Sequence, residues 1–441
     1  MNKLLLAATV LTALAPSAAD ARKKQPVPPP PAPVVRIAPT DPVEAYYFHR
    51  ADSPIWLRDA STRAAAGRMS AILKRSSIDG FAFGPQLAMQ VDAALAQAAS
   101  GNPAAMKAAE VTLSRAWVAY VQHLRTPPKG MIYGYDLLRP HNRPDQILLT
   151  TAASPNLAEQ IDRMADVNPT YKGIRDAALA SGQTVADARL VANLERARVL
   201  PSTGRFIIVD AAMARLTMYE NGQPVDSMKV VVGTPDTPTP MIASVIHYLT
   251  LNPYWNVPPN LIRKTVAPGA LKSGAAYLKP RGYEVVSDWT REATVVPASE
   301  VDWKALASGE KQMRIRQQPG PGNSMGKMKV PFPSGVDIYL HDTPSREHFA
   351  KSVRQLSNGC IRLEDARRLG RWLMGADPAT AGSDPEQFVQ IPRGVPIYLT
   401  YLTAQPEAGK LAYLDDIYGW DTQPDRQAAA ASYTPPAGTL R

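Results

Sequence analysis

The strongest constraint on the fold is a change in sequence character at Pro201. Before it, Ala-rich segments carry apolar residues at helical spacing, and strand signals are nearly absent. After it, short β-rich runs follow one another, and Asn221-Gly222 between two of them indicates a hairpin because both residues tolerate a positive φ. The sequence therefore predicts an α+β protein, with an all-helical domain at residues 46–200 and a mainly β domain at residues 201–403.

Local patterns extend this division along the chain. Helices are predicted in the first domain at residues 63–75, 86–99, 104–124, 156–165 and 185–198. Strands are predicted in the second at residues 205–209, 216–219, 228–232, 245–252, 327–331, 337–340 and 396–402, with a helix at 363–374. Mixed signals at about 258–320 interrupt the strand series and predict an inserted subdomain. Polar, Ala/Pro-rich residues 404–441 are predicted to form a C-terminal tail.

The N-terminus has the pattern of an export signal. A lysine, an apolar run at residues 4–14 and a small-residue site at Ala21 follow the order of a secretory signal peptide, so we expect residues 1–21 to be removed. An uncleaved signal anchor is the alternative, but the apolar run is shorter than the roughly 20 residues that span a bilayer. Residues 22–45 are Pro-rich and predict an extended linker.

Charge and cysteine content narrow the class of partner. With 49 Lys and Arg against 39 Asp and Glu, the formal charge of +10 favours an anionic partner, although a solvated basic surface has the same composition. No zinc-finger spacing or RNA-binding aromatic signature is present, which argues against nucleic acid. The single cysteine excludes an intramolecular disulfide, and the histidines lack metal-ligand spacing. We therefore predict no metal and no cofactor.

The densest group of reactive side chains lies around that cysteine. A predicted strand ends at His341. Cys360 lies nineteen positions after this histidine and directly follows Gly359. A thiolate is a nucleophile and a nearby imidazole can accept its proton, so the pair is suited to acyl transfer. The amides of Gly359 and Cys360, in a turn that leads into the predicted helix at Leu363, are candidate oxyanion donors. Arg362 suits a carboxylate clamp, with a surface salt bridge as its alternative.

The residues alone leave two questions open, namely whether Cys360 is catalytic and which group orients His341. A lone cysteine is more often buried and inert than catalytic. The group that orients His341 is either the neighbouring Asp342 side chain or a backbone carbonyl, because consecutive side chains on a strand face opposite ways.

Residues 316–363 resemble the catalytic core of YcbB-type L,D-transpeptidases, which carry a YkuD catalytic domain. The motif of that family, a His followed by Ser-X-Gly-Cys-X-Arg, falls on His341, Ser357, Gly359, Cys360 and Arg362. The resemblance extends over residues 185–403 through four further segments, namely Asn193 to Arg198, Val232-Gly233, Pro238-Thr239-Pro240 and Asn252 to Pro258. It is fainter in the helical part, where residues 46–57 resemble the start of the scaffold domain of the family.

The resemblance implies a periplasmic cysteine enzyme that acts on peptidoglycan tetrapeptide stems, both as acyl donor and as acceptor. Cys360 would attack the carbonyl of the third residue, expel D-alanine and form a thioester, and an amine of a second stem would then form a 3→3 cross-link. His341 would act as base and then as acid. Carbapenems acylate the same thiol in this family, so they are expected as covalent inhibitors.

The resemblance also implies roles for residues around the thiol. Tyr339 and Trp255 would line the donor groove, Arg362 would bind a carboxylate, and the insertion would cap the site. The further candidate substrate-binding residues are Asn256, Ser357 and Asn358. No small peptidoglycan-binding module is recognisable in the helical part, so the +10 charge and the Pro-rich linker are the candidate means of binding the anionic cell wall. A periplasmic protein that binds the helical domain is a further candidate partner.

Other functions are weighed on the same residues. A hydrolase, with water in place of the acceptor amine, shares the nucleophile and base and cannot be separated by sequence. A non-catalytic wall-binding scaffold is favoured by the helical domain and disfavoured by the Cys360, His341 and Arg362 set. A papain-like protease is disfavoured because its cysteine precedes its histidine in the chain.

Overall fold

The structure, a computed structural model, describes residues 37–290, 292–378 and 382–432. The predicted signal peptide at residues 1–21 lies outside these ranges, together with most of the predicted linker and the last nine residues of the predicted tail. None of the helices found in these three ranges is both long enough and apolar enough to cross a bilayer.

Eight α-helices and one short strand precede Pro201 in the described part of the chain. Helix starts are fixed by side chains that accept hydrogen bonds from first-turn amides, as Asp59 does from Thr62. Trp56 and Trp117 are fully buried in the core that the helices share. The elements are α1 (Pro42–His49), α2 (Ala60–Arg75), α3 (Gly84–Ala98), α4 (Pro103–Leu124), β1 (Ile132–Tyr133), α5 (Pro144–Ala152), α6 (Leu157–Asp166), α7 (Pro169–Ala180) and α8 (Ala188–Ala197).

All five predicted helices are present, as α2, α3, α4, α6 and α8. The sequence did not predict α1, α5 and α7, which have 8, 9 and 12 residues. Each of them begins at a proline, which suits a first helical position but disfavours a helix further along the chain. In addition, α1 and α5 are shorter than the predicted α6 and α8, so they offer few turns in which a period can be recognised.

The β domain is one sheet that closes on itself. Because β14 pairs with both β2 and β5, the strands β5, β10, β11, β13, β4, β3, β2 and β14 form a ring. The predicted hairpin is confirmed, since Asn221 and Gly222 have φ of 51° and 77° between β3 and β4. The elements are β2 (Phe206–Asp210), β3 (Arg215–Glu220), β4 (Gln223–Gly233), β5 (Ile242–Leu251), β6 (Trp255–Asn256), β7 (Tyr283–Val286), β8 (Val295–Val296), β9 (Arg314–Gln317), β10 (Met328–Val330), β11 (Leu340–His341), β12 (Gln355–Ser357), β13 (Ile361–Leu363) and β14 (Gln387–Thr400).

The predicted insertion has a hydrophobic core of its own, which contains Trp303 and Ile315. Its strands form a separate sheet in the order β6, β9, β7, β8, so Trp255 and Asn256 belong to the insertion although they precede the predicted start. We call residues 255–317 the cap. Its helices are α9 (Pro259–Leu261), α10 (Ala267–Ser273), α11 (Ala275–Leu278) and α12 (Trp303–Ser308), and the helix that follows β13 is α13 (Ala366–Met374).

The predicted polar tail is instead part of the fold through residue 432. It forms β15 (Ala404–Glu407), β16 (Lys410–Tyr413) and α14 (Pro424–Ser432), and Trp420 is buried. Asp421 forms a buried ion pair at 2.7 Å with Arg196 of α8. The polar residues that suggested a tail therefore pair with partners far away in the sequence, which local composition does not reveal.

The predicted fold class is confirmed, because a helical domain is followed by a β domain with an inserted cap. β1 is the exception to this division, since it leaves the helical domain to pair in parallel with β5.

Candidate active site

Two neighbouring parallel strands bring the predicted catalytic residues together. His341 of β11 lies opposite Arg362 of β13, and Leu340 lies opposite Ile361. Because side chains alternate along a strand, Leu340 and Ile361 face the core, where both are fully buried. His341, Arg362 and Cys360 consequently share the other face of the sheet.

That face forms the floor of a cleft, which we call the thiol pocket. Cys360, His341, Arg362 and Tyr339 line it from the sheet. The cap supplies the opposite wall, which includes Trp255, Asn256, Pro259, Asn260 and Leu261. A chain segment bound here would lie between the sheet and the cap, with the thiol below it.

His341 is held in one orientation by the backbone. Its side chain is buried, and Nδ1 donates to the carbonyl oxygen of Asp342 at 2.6 Å. The carboxylate of Asp342 is used elsewhere, where it accepts from the amide of Lys327 at 2.9 Å. The orienting group left open by the sequence is therefore a carbonyl, and it leaves the lone pair of Nε2 free to accept a proton.

The imidazole of His341 and the thiol of Cys360 are both neutral at physiological pH. Burial lowers the pKa of His341 to about 3, and the positive charges of Arg362 and Lys329 act in the same direction. Burial raises the pKa of the Cys360 thiol to about 11. The resting pair is therefore a thiol and a neutral imidazole rather than a thiolate and an imidazolium.

The turn before Cys360 depends on glycine. Gly359 has a φ of +107°, and a Cβ at this position would lie 2.9 Å from Cδ1 of Ile338. Ser357 spans the turn, since its hydroxyl donates to the carbonyl of Cys360 at 2.6 Å and accepts from the amide of Gly359 at 3.1 Å. Although Ser357 lines the thiol pocket, its hydroxyl is engaged in holding this turn.

The predicted oxyanion donors need a correction. The amide of Gly359 is already bonded to Ser357, so the Cys360 amide, which has no acceptor among the described residues, is the remaining donor. The prediction that a helix begins at Leu363 is wrong, since α13 begins at Ala366. Residues 361–363 pair with β4 and β11 instead, so the chain that follows the thiol continues as a strand and not as a helix.

The other predicted substrate-binding residues surround the thiol. Asn358 is exposed and lines the thiol pocket, whereas Arg362 is partly buried there. The guanidinium of Arg362 lies 3.1 Å from Nδ1 of His348, a histidine for which no role is predicted from the sequence. Trp255 and Asn256 lie on the cap, so the cap and the sheet meet at these side chains.

One charged residue near the thiol was missed by the sequence reasoning. Lys329 of β10 lies opposite His341 in the adjacent antiparallel pair. The signal was present in the alternation Met328-Lys329-Val330, in which both apolar neighbours are buried and the lysine is turned to the other face. In the described ranges, no group of three His, Cys, Asp or Glu side chains is arranged to hold a metal ion.

The fold and the site together define a two-domain protein whose β domain places a cysteine and a histidine in one pocket beneath a cap. Residues 204–389 match the family described as YkuD, the L,D-transpeptidase catalytic domain, and residues 41–177 match the Scaffold domain. The chain therefore combines a Scaffold domain with a YkuD L,D-transpeptidase catalytic domain, which is the YcbB-type architecture.

Similar proteins have related descriptions. A Haemophilus influenzae protein described as "Putative L,D-transpeptidase" is 28% identical over 321 residues, which cover 70% of this chain and 64% of that protein. The chain thus spans less than two thirds of the length of this relative. Among solved structures, an L,D-transpeptidase from Mycobacterium smegmatis is 14% identical over 45% of this chain and 59% of its own, with a TM-score of 0.24. The LD transpeptidase LdtMt1 in complex with imipenem is 12% identical over 45% and 60%, with a TM-score of 0.22.

Proposed function

We propose that this protein is a cysteine L,D-transpeptidase that forms 3→3 cross-links between peptidoglycan stem peptides. The observation that carries the proposal is the placement of Cys360, His341 and Arg362 on one face of the sheet, in one pocket, with Nε2 of His341 free to accept a proton. The family to which residues 204–389 belong supports the reaction class.

The first half-reaction forms the thioester. Nε2 of His341 accepts the proton of the Cys360 thiol as Sγ attacks the carbonyl carbon of the third residue of the donor stem. The amide of Cys360 is the donor available to the oxyanion that develops. His341 then gives its proton to the departing amine of D-alanine, and the carbonyl re-forms as the thioester.

The second half-reaction releases the product. An amine of the third residue of the acceptor stem attacks the thioester and loses a proton to Nε2 of His341. The C–S bond breaks, the new amide bond joins the two stems, and the sulfur recovers its proton from His341. The neutral resting state of the pair is thereby restored.

The test is mass spectrometry of purified disaccharide-tetrapeptide incubated with residues 22–441, beside the Cys360→Ala variant. Dimers that lack one D-alanine, with fragments that link two third residues, are expected with the unsubstituted protein only. Lys304→Ala, an exposed substitution on the cap, is the matched control and is expected to cross-link normally. Tripeptide monomers without dimers indicate a hydrolase, and an unchanged substrate with a folded protein contradicts both activities.

Carbapenem binding and location follow from the same proposal. A carbapenem is expected to add its mass to the protein at Cys360 and to leave Cys360→Ala unmodified. We also propose that residues 1–21 direct export to the periplasm and are removed. N-terminal sequencing of the periplasmic fraction is then expected to begin at Arg22, whereas a full-length chain confined to the cytosol contradicts export.

A further inference from the structure

A second cavity adjoins the thiol pocket, and we call it the outer cavity. Its volume is about 840 Å³, and it shares Trp255, Asn256, Met325 and Tyr339 with the thiol pocket. Aromatic rings make up much of its remaining wall, from Tyr248, Tyr254, Trp289 and Phe388. A ligand that enters this cavity therefore comes within reach of the groups that surround Cys360.

Four charged residues line the outer cavity, and three of them have polar partners in the protein. Nε of Arg316 donates to Glu284 at 3.1 Å, across the small sheet of the cap. The carboxylate of Glu386 accepts from the amide of Tyr254 at 2.8 Å. Asp288 accepts from an amide two residues later in its own turn, at 2.7 Å. Each of these three side chains thus has a hydrogen-bond partner in the fold, and Arg316 is also ion-paired.

Lys329, the fourth, differs from them. Its Nζ lies 4.1 Å from the centroid of the Tyr339 ring, and among the described residues it has neither a hydrogen-bond acceptor nor an ion-pair partner. It lies opposite His341, which places it on the face of the sheet that carries the thiol. Burial lowers the pKa of Lys329, and the charge of Glu386 opposes that shift.

The ammonium of Lys329 has no directly bonded anion among the described residues. The carboxylates of Glu386 and Asp337 stabilise its charge without a direct bond, and the ring of Tyr339 contacts it from one side, so its three N–H donors stay available to a ligand. A carboxylate of the ligand would complete the site through charge-assisted hydrogen bonds, which are strong where water is partly excluded. Peptidoglycan stems carry several free carboxylates, whose amidation removes the charge and keeps the shape.

We propose that Lys329 is a substrate-binding residue that recognises a free carboxylate of a stem peptide in the outer cavity, and that it makes the site selective for unamidated stems. The inference rests on the proposed function, since it names a specificity determinant of the same site. It can nevertheless be tested by binding alone, without any turnover.

The binding test uses full-length mature protein with Cys360→Ala, so that no ligand is consumed. Affinities for a tetrapeptide stem with free carboxylates and for its amidated counterpart are measured by calorimetry, with and without Lys329→Met. We expect the free form to bind about tenfold more tightly, a preference that Lys329→Met abolishes and Lys329→Arg retains. Lys327→Met removes the same charge two residues earlier, at an exposed position outside the cavity, and should keep the preference.

Two kinetic arms then separate the donor from the acceptor. Formation of the thioester in a single turnover reports recognition of the donor, whereas cross-linking onto a preformed thioester reports recognition of the acceptor. If Lys329→Met abolishes the preference for unamidated stem in thioester formation, Lys329 contacts the donor. If it abolishes the preference in cross-linking onto the preformed thioester, Lys329 contacts the acceptor.

The outcomes distinguish the two proposals. If Lys329→Met keeps the preference for free-carboxylate stem over amidated stem, the proposed role of Lys329 is wrong. It is equally wrong if the Cys360→Ala protein without Lys329→Met binds both stems with the same affinity, even where the unsubstituted protein forms cross-links normally. A preference that depends on Lys329 in a protein that forms no cross-links supports the binding role and contradicts the proposed function. A general folding defect would weaken the binding of both stems equally and leave the ratio of the two affinities unchanged. The ratio of affinities therefore reports recognition of the carboxylate alone.

Discussion

Burial shifts the pKa values of Cys360 and His341 in opposite directions, because the charged form of a thiol is an anion and that of an imidazole is a cation. Removal from water disfavours the thiolate and the imidazolium alike, so the pKa values move apart, to about 11 and about 3. A thiolate–imidazolium pair would require the reverse order. In the proposed mechanism, the proton therefore moves in step with the attack on the substrate, and the thiol of the free protein stays protonated.

This order of pKa values gives a prediction for alkylation by iodoacetamide. Cys360 is the only cysteine of the sequence, so the reaction reports this thiol alone. Because its pKa of about 11 lies two units above the usual 9.0, the thiolate fraction at pH 7 should be roughly 100-fold smaller than that of an unperturbed thiol. The rate should rise with pH without a plateau below pH 9, and it should show no step near pH 6.5.

The control is the same protein unfolded in urea, whose thiol should titrate at its usual pKa. Restricted access lowers the amplitude of the folded profile without moving its midpoint, so the midpoint is the quantity to compare. A folded thiol that reacts fully at pH 6, or a profile with an inflection near pH 6.5, would mean that His341 and Cys360 form an ion pair in the resting protein.

At the scale of elements, the position of the cap depends on one buried amide. Asn323, just after the last strand of the cap, donates to the carbonyls of Pro253 at 3.0 Å and Gln318 at 2.9 Å and accepts from the amide of Met325 at 2.6 Å. Pro253 precedes the cap and Gln318 follows it. One side chain therefore joins the two chain segments that enter and leave the cap.

We predict that Asn323→Ala loosens the cap more than it damages the rest of the fold. Carbonyls left without partners at a buried site cost about 1–3 kcal/mol, so the melting temperature should fall. Because Trp255 and Asn256 would lose their fixed positions over the thiol, the KM for tetrapeptide should rise more than kcat falls. Steady-state kinetics of Asn323→Ala and of the exposed control Lys304→Ala measure this change in KM. An unchanged KM in Asn323→Ala would mean that Asn323 has no influence on substrate binding.

The sequence predicted elements well where their information is local. The strand that ends at His341 and the motif around Cys360 are close enough in the chain for alternation and glycine placement to indicate their geometry. The helix start at Leu363 was wrong because pairing with β4 extends the strand, and that contact is not local. Lys329 was missed for a related reason, since its importance comes from strands that only the folded sheet places side by side.

On the scale of the whole molecule, the C-terminal segment joins the two domains. Asp421 accepts from Arg196 at 2.7 Å and from Arg189 at 2.8 Å, and both arginines belong to α8 of the helical domain. On its other side, the hydroxyl of Tyr418 donates to the carbonyl of Gly233 in the β domain, at 2.7 Å. A segment whose composition indicated a tail thus connects the helices with β4, the strand that pairs with β12 and β13 on either side of Cys360.

We predict that Asp421→Ala destabilises the protein strongly. The substitution leaves the buried Arg196 without its carboxylate, and removal of one partner of a buried pair costs about 3–5 kcal/mol. Denaturant unfolding measures this, with Asp425→Ala as the control because the Asp425 side chain is 98% exposed. Equal midpoints for the two variants would contradict a structural role for the C-terminal segment.

The closure of the sheet by β14 also governs the order in which the chain can fold. β14 pairs with β2 about 190 positions earlier, so the ring has two open edges until nearly the whole chain is available. Contacts of such long range slow folding and expose unpaired strand edges in the meantime. A ribosome-bound chain that still lacks β14 therefore has the residues of the active site but no closed sheet to position them, and a delay in delivery of the last strand leaves aggregation-prone edges rather than a partly active enzyme.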